Sequence, residues 1–262
     1  MTINSHIQMP ICVLQRFEDK DHRFFYYDVK KGIIGSNGHP SSINTEKGFY
    51  SKEAENYLRD NVETPFGNVL KMVDEIGIDP PRGHIDSVFD YTAKWFGYAL
   101  VSRNPKHIDR IKEYPFLVDN LTEQQLHEMG MLVGFAAEIE RDFLSKYVTT
   151  LAFNTTDIPF VLPTCGLYFI MLGSVENLVL PVSPDRAIVF IAEEQSTSII
   201  HDGIVHPIRL DNVNNIEIFN RQAAYSQLVY GNGYVVSANR EALETALQES
   251  KKMIGFPGVG EQ

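Results

Sequence analysis

Cysteine is scarce in this 262-residue chain, and its two cysteines, Cys12 and Cys165, are far apart. Two isolated cysteines provide neither a disulfide framework nor a thiolate metal site, and so few are typical of a protein in a reducing cytoplasm. Cys165 lies in a predicted turn between two strands, a position where a nucleophile can be displayed. Because no partner histidine is evident nearby, a buried structural thiol is the prediction for Cys165.

Basic residues are also few. The chain has 23 Lys and Arg residues and 34 Asp and Glu residues, which gives a net charge of −11. Extended contact with nucleic-acid phosphates requires a basic surface and is therefore not expected. Charges, prolines and turn residues interrupt the longest apolar candidate, Ile158 to Ala192, well before the ~18 residues of a membrane helix. The N-terminus lacks the features of a signal peptide. We expect a soluble, cytoplasmic protein without a membrane partner.

The familiar site motifs are missing as well. The sequence contains no glycine-rich nucleotide loop, no nucleophile elbow and no H-E-x-x-H zinc motif. No two of the eight histidines lie at i,i+4 spacing within one predicted helix, so no metal site is predicted. His201 and His206 flank a predicted hairpin and can meet across it, although surface histidines are the simpler interpretation. No cofactor can be named from these patterns.

The most apolar part of the chain runs from Asp157 to Ala192, in short runs separated by turn residues. This pattern is typical of buried strands. Nearer the N-terminus, two β-prone runs around Lys30-Lys31-Gly32 predict a hairpin, followed by a loop over Gly35 to Pro40. Apolar spacing also predicts a short helix or helical turn over His6 to Phe17, with Ser5 as its cap.

Apolar residues at three-and-four spacing predict helices through the middle of the chain. One begins at Ser51 and is broken or kinked at Pro65, and a second covers Ile85 to Leu100. A third begins with a capping box formed by Thr122 and Gln125 and continues to about Val148.

The sequence therefore predicts an α+β protein. Its parts are an N-terminal β-hairpin, a helical middle region, and a mainly antiparallel sheet in the C-terminal half with two closing helices. The closing helices are expected from about Asn215 to Tyr230 and from about Asn239 to Met253. No linker separates helices from strands, so we expect one domain over residues 1–254 and a flexible tail over 255–262.

Short patterns spread over most of the chain resemble those of a known family. Near the start these are His6, Pro10, Leu14 and Arg16-Phe17, and then Phe49-Tyr50-Ser51 with Glu55 and Glu63 in the following helix. Later in the chain they are Arg103-Asn104-Pro105, Leu180-Pro181-Val182-Ser183-Pro184, and Asn220 with Tyr230. Together they resemble a large bacterial family known only as domain of unknown function 4238.

The chain departs from this family at one turn. Family members usually carry a Thr/Ser-Asp-Asn-Pro turn after the strand that follows the long helix, whereas this sequence has Leu162-Pro163-Thr164-Cys165-Gly166. If the Asp-Asn pair performs chemistry in the family, this protein has lost it or does something different. If the pair only shapes a turn, Gly166 can supply the same backbone freedom.

The resemblance implies a candidate polar site formed by His6, Glu63, Arg103 and Asn220. The favoured hypothesis is a binding or regulatory module that recognises a protein partner or small ligand through His6, Arg103 and Asn220. The alternative is a metal-dependent hydrolase or nuclease that uses His6 and Glu63, with Arg103 as a clamp on a phosphate or carboxylate. Arg103 can also be purely structural, paired with Glu55 or Glu63. The sequence does not decide whether the protein is an enzyme.

Overall fold

The computed structural model describes residues 4–6, 8–43, 45–47, 49–78, 81–82, 85–102, 145–202 and 204–254, and the single positions 122, 125 and 128. Arg103, most of the predicted third helix and the predicted tail lie outside these residues. Within them the fold is a mixed α+β fold, as the sequence predicts.

The helices of the described residues are α1 (Ile11–Leu14), α2 (Lys52–Leu58), α3 (Thr64–Glu75), α4 (Ser87–Ser102), α5 (Val213–Tyr230) and α6 (Arg240–Ile254). Two 3-10 segments occupy Gln15–Phe17 and Glu193–Ser198, and a π-helical segment occupies Arg59–Glu63.

The strands are β1 (Asn4–His6), β2 (Phe24–Asp28), β3 (Ile33–Gly38), β4 (Thr45–Lys47), β5 (Gly77–Ile78), β6 (Pro81–Arg82), β7 (Tyr147–Asn154), β8 (Leu162–Pro163), β9 (Tyr168–Leu172), β10 (Val175–Ser183), β11 (Arg186–Ala192), β12 (Ile200–His201), β13 (Ile204–Val205), β14 (Ile208–Leu210) and β15 (Tyr234–Ser237).

The larger sheet has five strands in the order β14-β7-β11-β10-β9. All its neighbours are antiparallel except β14, which runs parallel to β7. Its central strands are buried on both faces: Ile188 and Phe190 of β11 pack into one core, whereas Ala187, Val189 and Ile191 pack into the other. A strand buried on both faces needs apolar residues at every position, which explains the continuous apolar runs of this region.

The two cores contain different helices. The first includes residues from α1 to α4, and the second includes residues from α5 and α6. A second, four-stranded sheet has the order β3-β2-β15-β8 and is antiparallel throughout. This smaller sheet places the predicted N-terminal hairpin beside strands from the C-terminal half.

Several local predictions are confirmed. Ser51 caps α2 by accepting a hydrogen bond from the backbone N–H of Ala54 at 3.2 Å. In the capping box, the Thr122 N–H donates to Oε1 of Gln125 at 2.8 Å and the Gln125 N–H donates to Oγ1 of Thr122 at 3.2 Å. The predicted break at Pro65 is not seen, because helical residues continue through it: the chain passes from the π-helical segment directly into the first turn of α3, where a missing N–H is tolerated.

The predicted helix over His6 to Phe17 is wrong in its first half. His6 lies in β1, where it pairs with Thr45 of β4. Pro10 is extended, with φ −65° and ψ 156°, and α1 begins only at Ile11. The residue before a proline is disfavoured in the helical region, which favours the later start of α1.

The predicted loop over Gly35 to Pro40 is also wrong, because β3 continues to Gly38. The rings of Tyr26 and Phe24 lie over Gly35 and Gly38, where a Cβ atom would come within 2.3 Å of each ring. Aromatic rings covering edge-strand glycines stabilise a strand that local propensity alone disfavours.

The predicted third helix does not reach Val148. Strand β7 begins at Tyr147, and Val148 pairs with Ile191 of β11. The run Val148-Thr149-Thr150 is β-branched and gains more from pairing in the sheet than from another helical turn. Among the described residues, no helix has both the length and the hydrophobicity needed to cross a membrane.

Candidate functional site

The predicted site residues are distributed over separate elements. His6 lies in β1, and Glu63 is the last residue of the π-helical segment, whose neighbours Val62 and Phe66 belong to the first core. Asn220 lies on α5, which packs against the opposite face of the five-stranded sheet. Glu63 and Asn220 are therefore on different faces. Since Arg103 lies outside the described residues, the four-residue site stays a prediction.

Asn220 has a clear structural role. Its side chain is buried, Oδ1 accepts a hydrogen bond from the N–H of Val161 at 2.9 Å, and Nδ2 donates to the carbonyl of Pro159 at 2.8 Å. Nδ2 of Asn154 donates in the same way to the carbonyl of Ile158 at 2.6 Å. Two asparagines therefore fix the segment that connects β7 to β8.

This segment forms one wall of a cavity of about 300 Å³ between α5 and α6. Four apolar residues line it: Ile158, Pro159, Ala242 and Ala246. Four carboxylates line it as well: Asp157, Glu217, Glu241 and Glu249. The remaining lining side chains are amides and a hydroxyl, those of Asn220, Asn239 and Thr245. The described lining contains no lysine or arginine.

The sequence of α6 explains why the cleft exists. Oδ1 of Asn239 accepts a hydrogen bond from the N–H of Ala242 at 3.0 Å and so starts the helix. Ala242 and Ala246 lie at i,i+4 on one face, and their small side chains leave room between the helices. Glu241 lies in the first turn, where a carboxylate is stabilised by the helix dipole.

The carboxylates of the cleft are largely uncompensated. Glu249 forms an ion pair with Lys252 at 2.5 Å. Within the part of the chain that the structure describes, Asp157, Glu217 and Glu241 form no ion pair, and all three are exposed. An apolar pocket bordered by carboxylates suits an organic cation, whose carbon skeleton and charge can both be accommodated.

The turn at Leu162 to Gly166 belongs to a second polar cluster, which is buried. The Thr164 hydroxyl donates to Oε1 of Gln8 at 2.8 Å and accepts from the N–H of Tyr234 at 2.9 Å. Oε1 of Gln227 accepts from the N–H of Cys165 at 2.8 Å. These bonds join the turn to the N-terminal segment, to the end of α5 and to β15, so the turn has a structural role.

Gly166 and Cys165 each have a further distinctive property in this turn. Gly166 has φ +92°, and a Cβ atom there would lie 2.7 Å from the Leu100 side chain. Only glycine combines that conformation with that close approach. Burial raises the pKa of the Cys165 thiol well above its ordinary range, so the thiol stays protonated at neutral pH. The geometry therefore matches the structural thiol that the sequence predicts.

Sequence reasoning missed Asp157, Glu217 and Glu241. They belong to a loop and two different helices, and no short motif links them. The sequence of α6 did contain one signal, an asparagine cap followed by two alanines one turn apart. Such small side chains on one face of a helix leave unfilled space beside it. Among the described residues, no group of three or more His, Cys, Asp and Glu side chains is placed to hold a metal ion.

Comparisons with known proteins found no match: no protein-family model, no curated protein and no solved structure is significantly similar to the chain. The resemblance to domain of unknown function 4238 therefore stays a prediction.

Proposed function

We propose that this protein is a cytoplasmic binding or regulatory module that recognises a small organic cation in the cleft between α5 and α6. The ligand class is an amine or guanidinium compound with a short apolar skeleton. The resemblance of the short sequence patterns to a bacterial family supports a bacterial setting for this role.

The composition of the cleft carries the proposal. Asp157, Glu217 and Glu241 line the cleft together with four apolar residues, and no lysine or arginine of the described residues lines it to neutralise them. A cation bound there would gain Coulomb attraction in a partly desolvated site and would bury its carbon atoms against Pro159 and Ala246. The volume of about 300 Å³ fits a small metabolite.

The walls of the cleft are fixed before any ligand binds. Asn220 anchors the loop to α5, and Asn239 fixes the start of α6. A preformed site loses less conformational entropy on binding than a flexible one, which favours recognition of a small molecule. The net charge of −11 also attracts cations over a longer range.

Isothermal titration calorimetry with matched ligands tests this proposal. Cadaverine, spermidine and agmatine supply the cationic probes, and 1,5-pentanediol is the neutral analogue of cadaverine. We expect at least one of the cations to bind, the diol not to bind, and the affinity to fall at higher salt. Equal binding of the diol, or no binding by any cation, would overturn the proposal.

Variants locate the binding. Glu217→Gln combined with Glu241→Gln removes two charges from the cleft with little change in shape, and we expect affinity to fall by about tenfold or more. Glu244→Gln is the control on the same helix, because Glu244 pairs with Arg240 at 2.8 Å and does not line the cleft. Equal weakening by the control would show a general charge effect and contradict the proposed site.

A further inference from the structure

The hairpin β12–β13 brings two histidines together on one face. Ile200 pairs with Val205 and His201 with Ile204, and the N–H of His206 donates to the carbonyl of Ile199 at 2.8 Å. His206 therefore lies opposite Ile199 and diagonal to His201, with both imidazoles on the same side of the hairpin. Their ring centroids are 5.4 Å apart, with the planes inclined at 55°.

We propose that His201 and His206 form a two-histidine site for a divalent transition-metal ion, with Zn²⁺ as the reference ion. Two imidazoles that ligate one Zn²⁺ at about 2.0–2.1 Å in tetrahedral geometry place their ring centroids about 5 Å apart. The observed separation of 5.4 Å is close to this value. Imidazole nitrogens are among the preferred ligands of Zn²⁺, Cu²⁺ and Ni²⁺.

The site is both anchored and accessible. The carbonyl of His206 accepts a hydrogen bond from the Thr150 hydroxyl at 2.8 Å, which ties the second strand of the hairpin to β7. Asp202 adopts a left-handed conformation, with φ 55°, and closes the tight turn after His201. Both histidines are exposed, so an ion reaches them without opening the fold.

Solvent or a bound molecule would occupy the remaining coordination positions of the metal ion. The two rings border an open cavity of about 360 Å³, which has room for water ligands. Gln195 also borders this cavity, but its Oε1 accepts from Asn177 and its Nε2 donates to the carbonyl of Leu172. A two-residue site of this kind leaves positions open for an additional ligand.

Other histidines provide controls. Nδ1 of His39 lies 2.8 Å from the hydroxyl of Ser41, and His22 pairs with Glu18 at 3.3 Å. Each of these therefore has a different local partner, and neither borders the hairpin cavity.

Calorimetric titration of Zn²⁺ into the full chain, in a non-chelating buffer at neutral pH, tests the site. We expect His201→Ala and His206→Ala each to weaken binding by at least tenfold and His39→Ala to leave it unchanged. Circular dichroism of each variant checks that the fold is retained. As a second readout, Zn²⁺ should shift the imidazole NMR signals of both histidines together.

Identical titrations for the parent and the His201→Ala/His206→Ala double variant would overturn the proposal, whatever other histidines bind zinc. Loss of binding in only one single variant would also overturn it, because a shared ion requires both rings. Neither outcome depends on an organic cation binding between α5 and α6, so this site stands or falls separately from the proposed function.

Discussion

The Thr164 hydroxyl donates a 2.8 Å hydrogen bond to Oε1 of Gln8, which lies 156 positions away in the sequence. The same oxygen of Thr164 accepts from the N–H of Tyr234. This one buried hydroxyl thus joins three parts of the fold: the N-terminal segment, the turn that follows β8, and strand β15. A buried group with all its hydrogen bonds formed favours one arrangement of its neighbours. In any other arrangement, a buried donor or acceptor would lose its partner and the fold would be less stable.

Thr164→Val removes this hydroxyl and keeps the side-chain shape. It leaves Oε1 of Gln8 and the N–H of Tyr234 without this partner, and we expect the free energy of unfolding to fall by about 1–3 kcal/mol. Urea denaturation measures the change. Thr197→Val is the control at an exposed threonine, and a comparable loss there would contradict this account.

Gly233→Ala should be more destabilising than Gly231→Ala. Both glycines have positive φ, +78° and +72°, so both variants incur about 1–2 kcal/mol of backbone strain. A Cβ atom at Gly231 meets nothing within 4 Å, whereas at Gly233 it meets Oε1 of Gln8 at 2.5 Å and Oγ1 of Thr164 at 2.6 Å. This overpacking adds about 1–3 kcal/mol. Urea midpoints for both variants check the order, and equal losses would refute the crowding argument.

Asn220→Ala should lower stability as well as ligand binding. It unpairs the N–H of Val161 and the carbonyl of Pro159, and we expect a loss of about 1–3 kcal/mol in the free energy of unfolding. Thermal denaturation measures the change in stability, and cadaverine titration measures the change in affinity. Comparing the two distinguishes a role in positioning the loop from a direct contact with the ligand. Weaker binding at unchanged stability would show that Asn220 touches the ligand instead of positioning the loop.

The Asp28 carboxylate should make stability depend on pH in acid. Burial alone would raise its pKa, but hydrogen bonds from the backbone N–H and the ammonium group of Lys31 outweigh burial and lower it. A lowered folded-state pKa stabilises the fold at neutral pH, and this contribution is lost as the pH falls below about 4.

Asp28→Asn should therefore reduce the melting temperature at pH 7 and flatten its decline in acid. Lys31→Met is the comparison variant, because it removes the ammonium group but retains the backbone N–H bond. We expect a smaller effect from it, as measured by melting temperature between pH 3 and 7. An unchanged acid decline in Asp28→Asn would contradict the assignment.

Cys165 should be unreactive in the folded protein. Its thiol is buried and its pKa is raised, whereas Cys12 is only partly buried. In a Cys12→Ser variant we expect negligible reaction with a disulfide reagent at pH 8 and one equivalent after addition of urea. Rapid reaction of the folded variant would restore the possibility of a nucleophile at this turn.

Local chemistry made several elements predictable from sequence. Ser51 places a capping hydroxyl at the start of an amphipathic segment, and Thr122 and Gln125 have the spacing of a reciprocal cap. These signals depend on residues within one helical turn. The candidate cleft was not predictable in the same way, because Asp157, Glu217 and Glu241 meet only after two helices pack against a loop.

The sequence by itself determined the α+β class, the N-terminal hairpin and the two closing helices. All of these follow from apolar periodicity, turn residues and local capping. Tertiary structure alone decided that β3 continues through two glycines, that a strand begins at Tyr147, and that Asn220 serves the backbone of a loop. The strand at Tyr147 needs its partner strand β11, and the role of Asn220 needs a loop about 60 positions away, so neither can be read from local residues. The extension of β3 needs the rings of the facing strand β2 to cover its glycines.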